Sequence, residues 1–174
     1  MRYCAFLRGV NVKGTTMKMA DVCTLFSNAG VYQVSSVLAS GNILFSSDEE
    51  VAELTETLQK AMSEHFSYEA YLFIKSENEV EEIWKNNPFP IDENFHTYAF
   101  IGNHGVENFL AAEFDKTSNA ENGKGKIAAQ TFYWQISKGN TLSSEFGKIL
   151  SRKSLKDQIT SRNINTFEKI IKKL

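Results

Sequence analysis

Three short polar runs hold the side chains best suited to chemistry in this 174-residue chain: Arg8-Gly9-Val10-Asn11, Ser40-Gly41-Asn42 and Ser161-Arg162-Asn163. The two arginines are permanent cations whose planar donor forks match a phosphate or a carboxylate. Asn11, Ser40, Asn42 and Asn163 add neutral donors and acceptors, and Lys13 and Lys18 add charge close behind Arg8. None of these groups titrates near neutrality, so the set points to recognising an anion rather than to moving protons. The same residues also suit a structural role. Gly41 and Asn42 could serve to turn a hairpin, Gly9 and Gly14 to turn a loop, Asn163 and Thr166 to cap and dock a helix, and the arginines to satisfy buried carbonyls.

Other constellations carry less. Gly9 to Thr16 has the G-x4-G spacing of a phosphate-binding loop, but Thr15 stands where such a loop needs its lysine. Gly123-Lys124-Gly125-Lys126 lacks that spacing and reads as an exposed turn. His65, His96 and His104 show no metal-ligand spacing, and His65 falls on a helical stripe where packing is expected. Cys4 and Cys23 form no CxxC pair and are expected as reduced, packed thiols. No motif calls for a metal or an organic cofactor, and no nucleophile-base pair is evident.

The elements that must position these residues follow from periodicity. Tyr3 to Arg8 is a compact apolar run and reads as a strand. Met19 to Ala29 has helical spacing, with Gly30 at its C′ position. Val34–Ala39 and Ile43–Ser46 read as strands around a two-residue Gly41-Asn42 hairpin turn of type II′. Ser47-Asp48-Glu49-Glu50 opens a helix whose stripe is Val51, Leu54, Leu58, Ala61 and His65, and Glu69–Lys75 reads as the fourth strand. The order β-α-β-β-α-β is that of a ferredoxin-like unit, a four-stranded antiparallel sheet in spatial order 4-1-3-2 under two helices. In that topology the loop after Arg8 and the Gly41 turn lie at one edge and should meet.

The chain's two prolines, Pro88 and Pro90, follow the helical stretch Asn78–Lys85 and read as a boundary. One subdomain is therefore expected over residues 1–88 and a second over 95–174. In the second, Thr97–Ile101 reads as a strand, Val106–Phe114 as a helix, Thr117–Lys126 as a loop and Ile127–Ser137 as strand material turning at Lys138-Gly139-Asn140. Helices near 143–151 and 163–173 finish the chain, with Thr160 or Ser161 capping the last and freeing its N–H groups for an anion. The second half thus reads as a degenerate repeat of the first, giving an α+β chain of two tandem ferredoxin-like subdomains.

Composition is that of a globular protein, 42% hydrophobic and 23% charged, and the N-terminus lacks the apolar run of a secretory signal. A cytoplasmic location and no membrane partner are the corresponding expectations. The net charge of −2 hides a segregation: residues 46–95 carry 13 acidic and 3 basic side chains, whereas 138–174 carry 3 acidic and 9 basic. Residues 1–45 carry 1 acidic and 4 basic. The polar runs therefore sit in locally basic segments, as an anion site requires, although Lys148, Lys153, Lys156, Lys172 and Lys173 also fall where amphipathic helices show water a polar face.

RGVNVKG, Met19-Ala20-Asp21, LASGNILF, NNPFP and SRNINTFEKI occur in an order that resembles the bacterial domain-of-unknown-function family 1697 over nearly the whole chain. Arg8, Asn11, Gly14, Ser40, Gly41, Asn42, Arg162, Asn163 and Thr166 match it. Lys13 stands where the family usually has the first of two glycines, and Ile164 where an aromatic is usual. The resemblance implies a duplicated ferredoxin-like α+β architecture and brings no activity, substrate or catalytic residue.

The reading that follows is binding of a small anionic or phosphorylated ligand at the edge holding Arg8, Asn11, Ser40 and Asn42, supplemented by Lys13, Lys18, Arg162 and Asn163. Whether a reaction follows is open. The alternative is a non-enzymatic interaction or assembly module built on the acidic and basic segments. Nucleic-acid binding is a further alternative, because Phe6 and Phe45 sit in strands that stack bases in some ferredoxin-like modules. The basic-glycine-aromatic signature is absent, however, and a pI near 6.0 opposes it.

Overall fold

A computed structural model describes residues 1–12, 15–117 and 120–174 of the chain, without the side chains of 11, 12, 15, 16 and 120. The elements run β1 (Arg2–Arg8), β2 (Asn11–Val12), β3 (Thr15–Thr16), α1 (Met19–Asn28), β4 (Tyr32–Val37), β5 (Asn42–Ser46), α2 (Val51–Phe66), β6 (Tyr71–Ser76) and α3 (Glu77–Lys85). They continue through β7 (Phe95–Gly102), α4 (Val106–Asp115), β8 (Lys124–Ala128), β9 (Thr131–Ser137), α5 (Glu145–Leu150), β10 (Ile159–Asn163) and α6 (Ile164–Ile171).

Two units emerge, Met1–Val80 with Lys169–Leu174, and Glu81–Glu168. The division falls inside α3, a few residues before the prolines that the sequence suggested as the boundary between 1–88 and 95–174. Proline ends a helix, but unit membership depends on what the chain binds afterwards. Tyr133 donates its phenol to Ile83 O at 2.7 Å and Gln135 donates to Pro90 O at 3.0 Å, tying this segment to the second sheet. The C-terminus belongs to the first unit, where Arg2 donates to Lys173 O at 3.2 Å.

In the first unit the strands pair β4-β5-β1-β6, all antiparallel, so the first strand lies centrally between the third and fourth of the sheet. One face presents Tyr3, Ala5, Leu7, Ile43, Phe45, Leu72 and Ile74 to Val22 and Phe26 of α1 and Leu54, Leu58 and Met62 of α2. Tyr3 stacks on Phe45 at 5.6 Å, and Phe26 meets the same ring edge-on at 5.8 Å. Cys4, Phe6 and Leu44, on the opposite face, are buried as well. A strand covered on both faces reads as an unbroken apolar run, which is why Tyr3–Leu7 was legible.

The stripe of α2 differs from the one drawn on the sequence. Leu54, Leu58 and Met62 face the sheet, while Val51 and His65 are exposed and Ala61 is partly covered. Two neighbouring stripes can be drawn on one helix, and the sheet selects the one carrying the long Met62. Helix α3 starts with a capping box: Glu79 accepts from Ser76 N at 2.8 Å, and Ser76 Oγ accepts from Glu79 N at 3.4 Å.

The second unit repeats the plan without loss of a strand. Its sheet pairs β10-β7-β9-β8, again antiparallel, with α4 and α5 on one face over Phe100, Phe132, Trp134 and Ile136. Phe146 of α5 meets Trp134 edge-on at 5.1 Å. The expected loop at 117–126 and the exposed Gly123–Lys126 turn give way to an edge strand that begins at Lys124. A Cβ placed on Gly125 would lie 2.7 Å from Phe114 Cδ1 and Phe132 Cζ, so glycine there admits the two rings. Ala129 and Gln130 form the β8–β9 turn with φ of +43° and +59°. They lack the Gly or Asn such a turn favours, which hid it from the sequence. Cys4 and Cys23 form no disulfide, and burial pushes the Cys23 thiol up. No helix among the described residues is long and apolar enough to cross a membrane.

Candidate functional site

Arg8 closes β1 opposite Tyr71 of β6, and Gly9 follows at φ +75°. Leu7 N donates to Gly41 O at 2.8 Å, so the end of β1 and the Ser40-Gly41 turn meet as the topology required. The approach is close: a Cβ on Gly41 would lie 2.5 Å from Val10 Cγ2 and 2.9 Å from Leu7 Cβ. Glycine is needed here both for its φ of +79° and for lack of room.

The turn itself is a four-residue loop, Leu38–Gly41, closed by the pair Val37 and Asn42; the two-residue Gly41-Asn42 turn is not formed. Leu38, at φ +61°, takes the second left-handed position. Asn42 is wholly buried and donates its amide to Val37 O at 2.8 Å and Ser40 Oγ at 3.0 Å. Its side chain fastens the turn from inside and leaves Ser40 on the exposed surface.

Around this edge the strands β2 and β3 form a small hairpin, with Asn11 paired to Thr16 in the backbone register. The hairpin separates Gly9 from α1, so no helix follows directly as in a phosphate loop. Lys13 and Gly14 lie outside the described residues. Lys18 occupies the N-cap position of α1 with extended backbone, and its side chain is exposed. Arg8 is partly buried, and burial draws its guanidinium below the ordinary arginine range while leaving it charged at any physiological pH.

Tyr68, which the sequence reading passed over, belongs to this edge. A Cβ on Gly9 would lie 4.0 Å from Tyr68 Cε2, and the phenol oxygen is buried with no hydrogen-bond partner among the described residues. Burial pushes its hydroxyl up to about 12, so it stays protonated and is a donor. The sequence carried no signal for it beyond an aromatic residue just past a helical stretch; the left-handed Ser67 that ends α2 emerges only in the fold.

Arg162 and Asn163 belong to the second unit. Thr160 and Ser161 lie within the strand and do not cap a helix, and Arg162, buried in the same strand, donates to Thr160 Oγ1 and Ser161 O, both at 2.8 Å. Asn163 caps α6 in place of Thr160 or Ser161: its Oδ1 accepts from Asn165 N at 3.0 Å. Its amide nitrogen lies 3.1 Å from His96 Nδ1. These two residues are thus engaged in holding β10 and starting α6. Lys148, Lys153, Lys156, Lys172 and Lys173 are all exposed, the solvated faces foreseen for them. Phe6 and Phe45 are fully buried and lie on opposite faces of the sheet, so neither presents a ring for base stacking.

A family model described as "Protein of unknown function (DUF1697)" matches residues 1–133. A solved structure, that of the conserved bacterial protein SP0830 from Streptococcus pneumoniae, is 25% identical with a TM-score of 0.80, over 99% of this chain and 97% of that one. No curated protein is similar in sequence.

Proposed function

This chain belongs to the DUF1697 family, and we propose that it binds a small anionic, phosphate-bearing ligand where β1 runs into the Gly9 loop. Arg8 supplies the charge, Ser40 and the Tyr68 hydroxyl supply neutral donors, and Lys18, exposed at the start of α1, adds a second cation; Asn11 and Lys13 remain candidates from the sequence. Asn42 acts through the turn it fastens. The observation that carries this reading is Tyr68, whose ring edge borders Gly9 and whose hydroxyl is buried with no partner among the described residues. A donor left unmade costs about 1–3 kcal/mol, which a ligand oxygen would recover. Both units read as ferredoxin-like, supported by their shared strand order with two helices on one face.

Thermal shift of wild type, Arg8→Ala and Tyr68→Phe against phosphate, pyrophosphate, nucleotides and phosphorylated sugars tests the proposal. A ligand at 100 times its Kd should stabilise wild type by about 2.7 kcal/mol, or about 5–10 °C. Arg8→Ala should abolish the shift. Tyr68→Phe should melt no lower than wild type without ligand and bind several-fold more weakly. A wild-type protein indifferent to every anion, or a Tyr68→Phe variant that binds as wild type, refutes it.

A further inference from the structure

The two units differ most in their second helix. In the first, α2 has 16 residues and lays Leu54, Leu58 and Met62 along the sheet; in the second, α5 has six, with Phe146 alone fully buried. At about 1.5 Å per residue the covering rod shrinks from about 24 to about 9 Å. Beside the short α5 lies a cavity of about 220 Å³, lined by Tyr98, Phe100, Trp134, Leu142, Leu150 and the hydroxyl residues Thr141 and Ser161 among others.

We propose that this cavity is a binding site for a neutral, planar aromatic or heteroaromatic ring of one to two fused cycles. Size sets the upper bound, since a cavity of about 150 Å³ already takes benzene. The floor sets the shape: Tyr98 and Trp134 are paired across β7 and β9 with ring centroids 5.8 Å apart at an interplanar angle of 31°, and Trp134, wholly buried, is locked by its Nε1 donating to Asn122 O at 2.6 Å. A rigid aromatic floor whose Tyr98 ring is partly exposed favours a flat guest over a flexible chain.

Polarity sets the rest. No charged side chain lines the cavity, so a guest carrying a net charge there would be unpaired. The hydroxyls of Tyr98, Thr141 and Ser161 hold no hydrogen bond to the protein among the described residues, whereas Ser151 donates to Lys148 O at 2.6 Å. Apolar walls with a few unengaged polar groups are the usual make-up of a small-molecule site. Leu142, 85% exposed at the rim, is the residue a bound ring would cover. The site shares no residue with the Arg8 edge and stands independently of the function proposed there.

The test follows the indole N–H signal of Trp134 by ¹H–¹⁵N NMR, assigned with Trp84→Phe, while indole, benzimidazole and adenine are titrated to millimolar concentration. Cyclohexanol serves as the non-aromatic control. At least one aromatic probe should shift the signal saturably, and cyclohexanol should bind at least tenfold more weakly. Ser161→Ala, which removes only the hydroxyl oxygen, should weaken binding three- to tenfold. Leu150→Trp should fill the cavity and abolish binding; if it does not fold, Ser161→Ala decides alone. Silence from all three aromatics, equal binding of cyclohexanol, or unchanged affinity in either folded variant overturns the proposal.

Discussion

Gly41→Ala should destabilise the protein far more than Gly30→Ala, although both glycines have positive φ, +79° and +101°. The shared part is conformational: placing an L side chain in such a backbone costs about 1–2 kcal/mol. At Gly30 nothing lies within 4 Å of the added Cβ, so the cost ends there. At Gly41 the new carbon would come 2.5 Å from Val10 Cγ2 and 2.9 Å from Leu7 Cβ, with Leu7 fixed in the central strand. Overpacking of a buried site adds about 1–3 kcal/mol. The expected losses are then about 2–5 kcal/mol for Gly41→Ala and about 1–2 for Gly30→Ala. At about 2–4 °C per kcal/mol for a chain of this size, Tm should fall by roughly 4–20 °C and 2–8 °C respectively. Urea unfolding of the two variants beside Val10→Ala and Val10→Ala/Gly41→Ala measures the steric part directly. Removing Val10 Cγ2 should make the double variant about 1 kcal/mol more stable than the sum of the singles predicts. Equal Tm losses for the two glycine variants, or strict additivity in the cycle, would show that the close approach of the Gly41 turn to the end of β1 does not constrain this edge.

Other expectations rest on single networks. Asn42→Ala should cost about 2–3 kcal/mol by chemical denaturation, because it takes from the turn the two hydrogen bonds that the wholly buried Asn42 amide donates to Val37 O and Ser40 Oγ. Arg162→Ala should cost about 1–3 kcal/mol, because it takes a donor from the Thr160 hydroxyl and from Ser161 O; no measurable loss would show that these bonds do not hold β10. At Glu79 burial acts to raise the carboxyl pKa, but the Lys75 ammonium at 2.9 Å and the Ser76 N–H outweigh it and hold it below the ordinary range. A depressed carboxyl stabilises the fold above its unfolded pKa of about 4.3 and loses that contribution as pH falls. Glu79→Gln should therefore melt below wild type at pH 7, with the gap closing below about pH 4. A gap independent of pH would refute the linkage.

Much of the architecture was open to reading from the chain alone because it rests on local periodicity. Tyr3–Leu7, the α1 pattern ending at Gly30, and the helix after Ser47-Asp48-Glu49-Glu50 each carry their signal within a few residues. So does the meeting of the Arg8 loop with the Gly41 turn, once the β-α-β-β-α-β order is accepted, because strand order then leaves little choice of neighbours. What the chain could not disclose were features whose cause lies far away in sequence. Ala129 and Gln130 adopt left-handed backbone because β8 and β9 pair on either side of them. Residues 159–163 become a strand because β7 offers them an edge, which takes the helix cap from Thr160 or Ser161 and gives it to Asn163. Asn42, apparently a turn residue, is drawn inside by the carbonyl of Val37. The orphaned Tyr68 hydroxyl and the cavity beside the short α5 come from packing alone. Secondary structure follows from nearest neighbours, whereas burial, and with it the cost of an unmet donor or an unfilled space, depends on every element that closes around a residue.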